Sequence, residues 1–464
     1  DELLAASSDV TLHIASPVTE LGDGEWGDLY DMKLIPIHAI LLPDGNVLSY
    51  GTDNAGKQGG GLYYQIWNPA KGTTKRAHKL LEHSTGTDIF CSTINIDPST
   101  GNVIVIGGDT RTPDGFGINT VLEFDTATYE VRGHPLGDMQ YARWYGTSIN
   151  LPNGDIFVIG GKSGDTRGTR GSPIPEVWSP ESGFRSLDGA EVPAIANDLS
   201  NNDHWWYPYC YVNSSGEIIC IMPSRRNAAV YRVDVGGQGS IESIGTKPFT
   251  AHVRNPSVMY RIDHVLFIDD DGWLWDSDIS GKTPVWKKKY ELGRTRTNGC
   301  FVLLPDGRVA IVGGSGVPAN EEDLKDAVRT ISVWDPDTDD MVIGPSQELA
   351  RLYHSTALIM PNGSVLSQGG GSPGPLTNRN GQVYLPNYFY SGLERPIIVS
   401  CPRNVATDDS FVIEVDEASA VDRVTVTKSG ASTHARNFDT RWLELEFKIL
   451  SDGEVRVFTE GKNT

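Results

Sequence analysis

The chain has 464 residues and a formal charge of −21, from 60 Asp and Glu against 39 Lys and Arg. A negative field spread along the chain disfavours nucleic acid and anionic lipid as partners and leaves neutral small molecules or sugars. With 38% hydrophobic residues, 51 glycines and 27 prolines, it is too long for one ordinary core and suits many short strands joined by tight turns.

The first residues, DELLAASSDV, lack the basic start and apolar stretch of a signal peptide, so a secreted protein would already have lost that segment. No apolar run is long enough for a transmembrane span. Residues 1–36 include GEWGDLYDMKLIP, which is expected to supply a strand that closes a ring of repeats.

From His38 onward a unit recurs: hydrophobic strand, Pro-Asp-Gly type turn, second hydrophobic strand, Gly-Gly stop. Copies begin at His38 (HAILLPDGNVLSYGTD), Cys91 (CSTINIDPSTGNVIVIGGD), Tyr145 (YGTSINLPNGDIFVIGGK), Tyr209 (YCYVNSSGEIICIMP), Val258 (VMYRIDHVLFIDDDG), Cys300 (CFVLLPDGRVAIVGGS) and His354 (HSTALIMPNGSVLSQGGG). The fourth and fifth are degenerate. Most are followed by another strand ending in an aromatic and a turn, such as PEVWSPESG and ISVWDPDTDD. The period predicts an all-β fold, a seven-bladed kelch-type β-propeller over residues 1–393. The glycine pairs fit where strands must approach closely.

After Tyr390 the Gly-Gly stop disappears. RPIIVSCP, SFVIEVD, RVTVTKSG, RWLELEFKI and EVRVFTE read as alternating strands, a small immunoglobulin-like β-sandwich over 394–464. That span is short of the roughly 100 residues usual for the architecture, so its completeness stays open.

Cys91, Tyr145 and His354 each lie seven positions before their turn prolines Pro98, Pro152 and Pro361. Equivalent positions of a repeat occupy equivalent places in space, so these side chains should face one another around an axis. Tyr353 precedes His354. Neighbouring strand residues point to opposite faces, so both can reach one point only at a strand mouth. His38 lies five residues before its turn, out of register, and reads as structural. The five cysteines, Cys91, Cys210, Cys220, Cys300 and Cys401, contain no CxxC pair, which argues against a thiolate zinc site. The pairing of Cys210, Cys220, Cys300 and Cys401 is not decided by sequence, although Cys210 and Cys220 flank one hairpin turn.

The segments TGTDIFCSTINID, MQYARWYGTSINLPNGDIFVIGG, LARLYHSTALIMPNGSVLSQGGG and THARNFDTRWLELEF resemble the signature segments of the galactose oxidase and glyoxal oxidase family of copper radical oxidases. The resemblance runs from about Glu25 onward and implies a copper ion held by Tyr145, Tyr353, His354 and His434. Two phenols and two imidazoles in a tetragonal plane suit Cu(II). It further implies a thioether between Cys91 and Tyr145 that forms a tyrosyl-radical cofactor, with Tyr353 as general base. The activity implied is oxidation of a primary alcohol, carbohydrate or aryl/alkyl, to the aldehyde with O2 reduced to hydrogen peroxide. Alternatives are a glyoxal or small-aldehyde oxidase of the same family, or a kelch module that only binds. The expected protein is a secreted monomer acting on a small alcohol, sugar or aldehyde. Where galactose oxidase has a tryptophan shielding its radical, this chain reads GGKSGDTRG and offers Ser163. Trp144 and the cluster HWWYPY, with Trp205, Trp206 and Tyr207, are candidate substrate walls, since aromatic faces suit sugars and aryl alcohols alike.

Overall fold

The computed structural model describes residues 10–15, 24–58, 62–110, 115–163, 171–197, 203–223, 227–318, 323–392, 395–402, 405 and 409–459. The expected domain boundary at 393/394 lies outside them. The fold is all-β; among these residues the α-helix is a single turn, Pro193–Ala196. No helix among them is long and apolar enough to cross a membrane.

Six meanders of four antiparallel strands follow one another, starting at His38–Leu41, Thr93–Ile96, Trp144–Asn150, Tyr209–Val212, Ser257–Arg261 and Cys300–Leu303. The two copies with degenerate turns form the same meander as the others. The last sheet, Ser355–Ile359, Val365–Gly369 and Asn380–Leu385, is completed from the other end of the chain by Glu25–Trp26 and Tyr30–Asp31, both paired with Asn380–Leu385. Apolar runs dictate the layering. Thr93–Ile96 and Val103–Ile106 are buried throughout, whereas the polar fourth strand Glu130–Gly133 is mostly exposed. First strands of neighbouring sheets touch, for example Thr93–Ile96 with Trp144–Asn150 and Cys300–Leu303 with Ser355–Ile359.

The Gly-Gly stops lie where one meander meets the next. Gly107 and Gly108 have φ of 73° and 147°. A Cβ there would lie 2.2 Å from Arg143 O or 2.1 Å from Asp88 O, so only glycine admits the approach. Arg143 itself is wholly buried. Its guanidinium donates to Gly160 O (2.8 Å) and Ile174 O (2.5 Å) and pairs with buried Glu176 at 2.9 Å. Arg143→Met should therefore cost about 3–5 kcal/mol of stability, because it strands the Glu176 charge in the interior. Guanidinium unfolding of Arg143→Met checks this, and a loss below about 1 kcal/mol would mean that water relieves the carboxylate.

In the C-terminal part, Ile398–Ser400, Ser410–Val415, Glu454–Phe458 and Phe447–Ser451 form one sheet, and Arg423–Lys428 with Arg441–Leu445 form another. Ile413, Val424, Leu445, Val455 and Val457 pack between them. Val10–Ala15, counted by sequence with the repeats, instead pairs antiparallel with Arg423–Lys428 and adds a strand to this C-terminal sheet.

One C-terminal hairpin leaves its own sheets. Ala431–Thr433 pairs antiparallel with His38–Leu41, and Arg436 of Arg436–Phe438 bridges in parallel to Ser257. The hairpin thus joins the first strands of the first and fifth meanders into one ten-stranded sheet. His434 is at its tip.

Candidate metal centre

The register predicted from the turns has a backbone counterpart. Cys91, Tyr145 and His354 have φ of 53°, 69° and 67°. The position seven residues before the turn is also left-handed in the fourth and sixth repeats, at Tyr207 (φ 40°, before Ser214) and Asn298 (φ 64°, before Pro305). Left-handed backbone is costly for bulky residues and persists where surrounding structure over-determines it. What it achieves here is a hand-over of hydrogen bonds between sheets: Tyr145 N–H donates to Cys91 O (2.9 Å) and Tyr207 N–H to Tyr145 O (2.8 Å). The abrupt turn also answers how neighbours Tyr353 and His354 serve one point, their rings stacking at 3.8 Å.

These entries converge with the hairpin tip. The hydroxyls of Tyr145 and Tyr353 are 3.5 Å apart. His434 meets Tyr145 edge to face at 5.3 Å between centroids, and His354 at 4.5 Å with the rings at 87°. The Cys91 thiol lies 3.2 Å from His434 Nε2 and is a hydrogen-bonding neighbour of the Tyr145 hydroxyl. Cys91, His354 and His434 are essentially inaccessible, while Tyr145 and Tyr353 keep 8% and 6% exposure.

Hydrogen bonds fix both imidazole tautomers. His354 Nδ1–H donates to Gly371 O (2.8 Å), which leaves Nε2 with its lone pair, buried and without a hydrogen-bond partner. The Thr433 hydroxyl gives its one proton to Ile37 O (2.9 Å), so it accepts from His434 Nδ1–H (2.5 Å), and His434 Nε2 is likewise unprotonated. Burial pulls the His354 pKa down to about 3, only partly offset by the bond to Gly371. Burial first, then His354 and His38, hold His434 well below its usual value. Both rings are therefore neutral, the form that ligates metals, with the other ring nitrogen already anchored. Burial, then Cys91 and Tyr353, push the Tyr145 phenol well above its usual range, so a bound cation is needed to make it a phenolate. Two phenols and two lone-pair imidazoles, with His354 Nε2 buried and bare, are a donor set that suits Cu(II).

The hairpin is pinned by Arg436, whose buried guanidinium donates to Val253 O (2.7 Å), Tyr207 O (3.1 Å) and Asn255 O (3.1 Å). Aromatic rings surround Tyr145: Trp144 at 4.5 Å, Tyr207 at 5.4 Å, and Trp205 and Trp206 at 5.9 Å. Trp144 and Trp205 are partly exposed, whereas Trp206 and Tyr207 are buried. The guanidinium of Arg254, a residue without a motif or repeat register of its own, lies 4.3 Å from the Tyr353 ring centre. His38, excluded by its register, is 5.7 Å from His434. It reaches the centre because its strand is the one the hairpin pairs with, a contact with no local signature.

No protein-family model matches the chain. It is 27% identical to a galactose oxidase of Gibberella zeae over 94% of its own length and 67% of that protein's, so it spans about two thirds of that relative. It is 22% identical to an aldehyde oxidase of Arabidopsis thaliana over 77% of its length and 64% of that protein. Among solved structures it shares its fold, at TM-score 0.77 and 21% identity, with a fungal alcohol oxidase in complex with copper, covering 95% of this chain and 94% of that one. Along nearly its whole length, the chain is similar in sequence to the galactose oxidase and glyoxal oxidase family.

Proposed function

We propose that the protein is a copper radical oxidase that converts a primary alcohol to the aldehyde while reducing O2 to hydrogen peroxide. The architecture that goes with this reading is a seven-bladed kelch-type propeller, with the C-terminal part as an immunoglobulin-like sandwich whose hairpin reaches the propeller axis. The observation that carries it is the meeting of Tyr145, Tyr353, His354 and His434, from one meander, the last sheet and the hairpin, with the Cys91 sulfur against them. Copper, when bound, supplies one of the two oxidising equivalents and the Lewis acidity that readies an alcohol for proton loss.

The chain's own groups supply the rest. Bonding of the Cys91 sulfur to the Tyr145 ring makes that phenol easier to oxidise, and the resulting radical takes a hydrogen atom from the carbinol carbon. Tyr353 accepts the hydroxyl proton, with its hydroxyl 3.5 Å from that of Tyr145 and the Arg254 cation over its ring favouring negative charge. The sum is RCH2OH + O2 → RCHO + H2O2. Trp144 and Trp205 form an aromatic wall that orients a neutral sugar or aryl/alkyl alcohol. A second reading, oxidation of glyoxal or another small aldehyde as its hydrate, is favoured by the likeness to the plant aldehyde oxidase. A module that only binds is disfavoured, since nothing in binding calls for a bare buried His354 nitrogen, a deficit of about 1–3 kcal/mol.

We place the enzyme outside the cell. Cys210 and Cys220 face each other on paired strands with sulfurs 3.2 Å apart, ready to close in an oxidising compartment. The test is aerobic loading of copper-free protein with Cu(II), followed by peroxide assays on galactose, glycerol, benzyl alcohol, glyoxal and methylglyoxal. Expected are loss of two hydrogens in the intact mass and peroxide with at least one substrate. Unchanged mass with no peroxide on any of them refutes the reading.

A further inference from the structure

The four oxygen and nitrogen donors assigned above leave out His38. Its ring is completely buried, yet neither of its nitrogens has a hydrogen-bond partner. Two unpaired buried polar atoms cost about 1–3 kcal/mol each, so a histidine kept only for packing would be better replaced by an apolar residue. The ring is also held in place. It stacks on Tyr50 at 4.5 Å and 8°, Tyr50 bonds through its hydroxyl to Ser92 at 2.6 Å, and His38 pairs across strands with Tyr50 and Thr433. Ser92 and Thr433 are the neighbours of Cys91 and His434. Ligand atoms of His38, Cys91 and His434 all lie within 4.8 Å of one another, and Cys91 Sγ is 3.2 Å from His434 Nε2. Metal bonds of about 2.0–2.3 Å spread over a trigonal plane require donors about 3.5–4 Å apart, within reach of this spacing by sub-ångström movement.

A thiolate and two imidazoles in a dry pocket form a soft, low-coordinate donor set. That set selects Cu(I), whereas structural zinc would want a fourth ligand. Thiolate plus Cu(I) is neutral overall, which keeps the burial cost low. Once the sulfur is bonded to the Tyr145 ring it is no longer a thiolate and the set is dismantled. We propose that His38, Cys91 and His434 form a Cu(I)-loading site that exists only while Cys91 is a free thiol, and that it holds the metal beside that thiol while the thioether is made. Over loading and cross-linking together, the Cys91 S–H bond breaks as the thiolate takes the metal, one Tyr145 ring C–H bond breaks as the C–S bond forms, and the two protons and two electrons end in hydrogen peroxide formed from O2. His434 belongs to both donor sets, so the metal passes from one to the other with one ligand retained, and His38 is released.

The inference rests on the copper-oxidase reading, and its test separates the two. Copper-free precursor with a free Cys91 thiol is titrated anaerobically with Cu(I) against a competing chelator, examined by X-ray absorption, then exposed to O2 and followed by intact mass. Wild type should show one sulfur and two nitrogen scatterers. His38→Gln should lose one nitrogen, bind Cu(I) about 10- to 100-fold more weakly and form the thioether more slowly. His38→Asn, with a shorter amide, should do the same, and near-UV circular dichroism confirms that each variant is folded. A wild-type shell without sulfur, or His38 variants with wild-type affinity and cross-linking rate, overturns the role of His38 while cross-linking by wild type upholds the oxidase. A wild-type precursor that takes up copper and never forms the thioether overturns both.

Discussion

Cys91→Ser should fold, bind Cu(II) and turn over at least about 10^3-fold more slowly than wild type, a rise of about 4 kcal/mol in the barrier. Serine is close in size to cysteine, and Cys91 is wholly buried in a left-handed turn that its backbone neighbours impose, so the substitution leaves the turn and the donors Tyr145, Tyr353, His354 and His434 in place. What goes is the sulfur beside the Tyr145 hydroxyl, and with it the ring substituent that lowers the energy needed to remove an electron. A phenol without that substituent is a poorer radical site. Peroxide release under saturating alcohol gives the rate, and intact mass with and without copper shows whether a cross-link forms. Turnover at the wild-type rate in Cys91→Ser would remove the thioether from the mechanism.

The parts of the centre tied to the repeat are legible in the sequence, because a turn proline and glycine fix the distance back to the strand entry. That count yields Cys91, Tyr145 and His354, and applied to the degenerate fourth turn it would also have singled out Tyr207, which shares their left-handed backbone. Periodicity carries no information about which distant segment fills the middle. The hairpin around His434 consists of two three-residue strands whose partners, His38–Leu41 and Ser257, are hundreds of residues away. His434 is therefore reachable only through resemblance, and the register of His38 points away from the centre. Likewise Val10–Ala15 has nothing in its own sequence to say that its partner is Arg423–Lys428 rather than a neighbouring repeat. The aromatic surround was partly visible as residue type: Trp205 and Trp206 stand out in HWWYPY, but only the fold brings them and Trp144 to Tyr145.

His434→Ala should weaken Cu(II) binding by about 100-fold or more while leaving the fold standing, which makes it the sharpest test of the inserted hairpin. The tip does not depend on the imidazole for its position. Arg436 ties it to Val253 O, Asn255 O and Tyr207 O, Thr433 ties it to Ile37 O, and Ala431–Thr433 keeps its ladder with His38–Leu41. Removing the ring should therefore cost the metal-free protein only about 1–2 kcal/mol, for the lost bond to Thr433 and the space left behind. Metal linkage then reads out the ligand directly. At a copper concentration about 1,000 times the wild-type Kd, binding stabilises wild type by about 4 kcal/mol. A variant with 100-fold weaker affinity gains only about 1.4 kcal/mol at that concentration, a difference visible in Tm. Added imidazole should enter the vacated space and restore part of both the copper-induced Tm rise and the peroxide yield. A His434→Ala protein with the full wild-type Tm rise would show that the hairpin lies beside the metal without holding it, and would leave His354 as the one imidazole ligand of the assigned set.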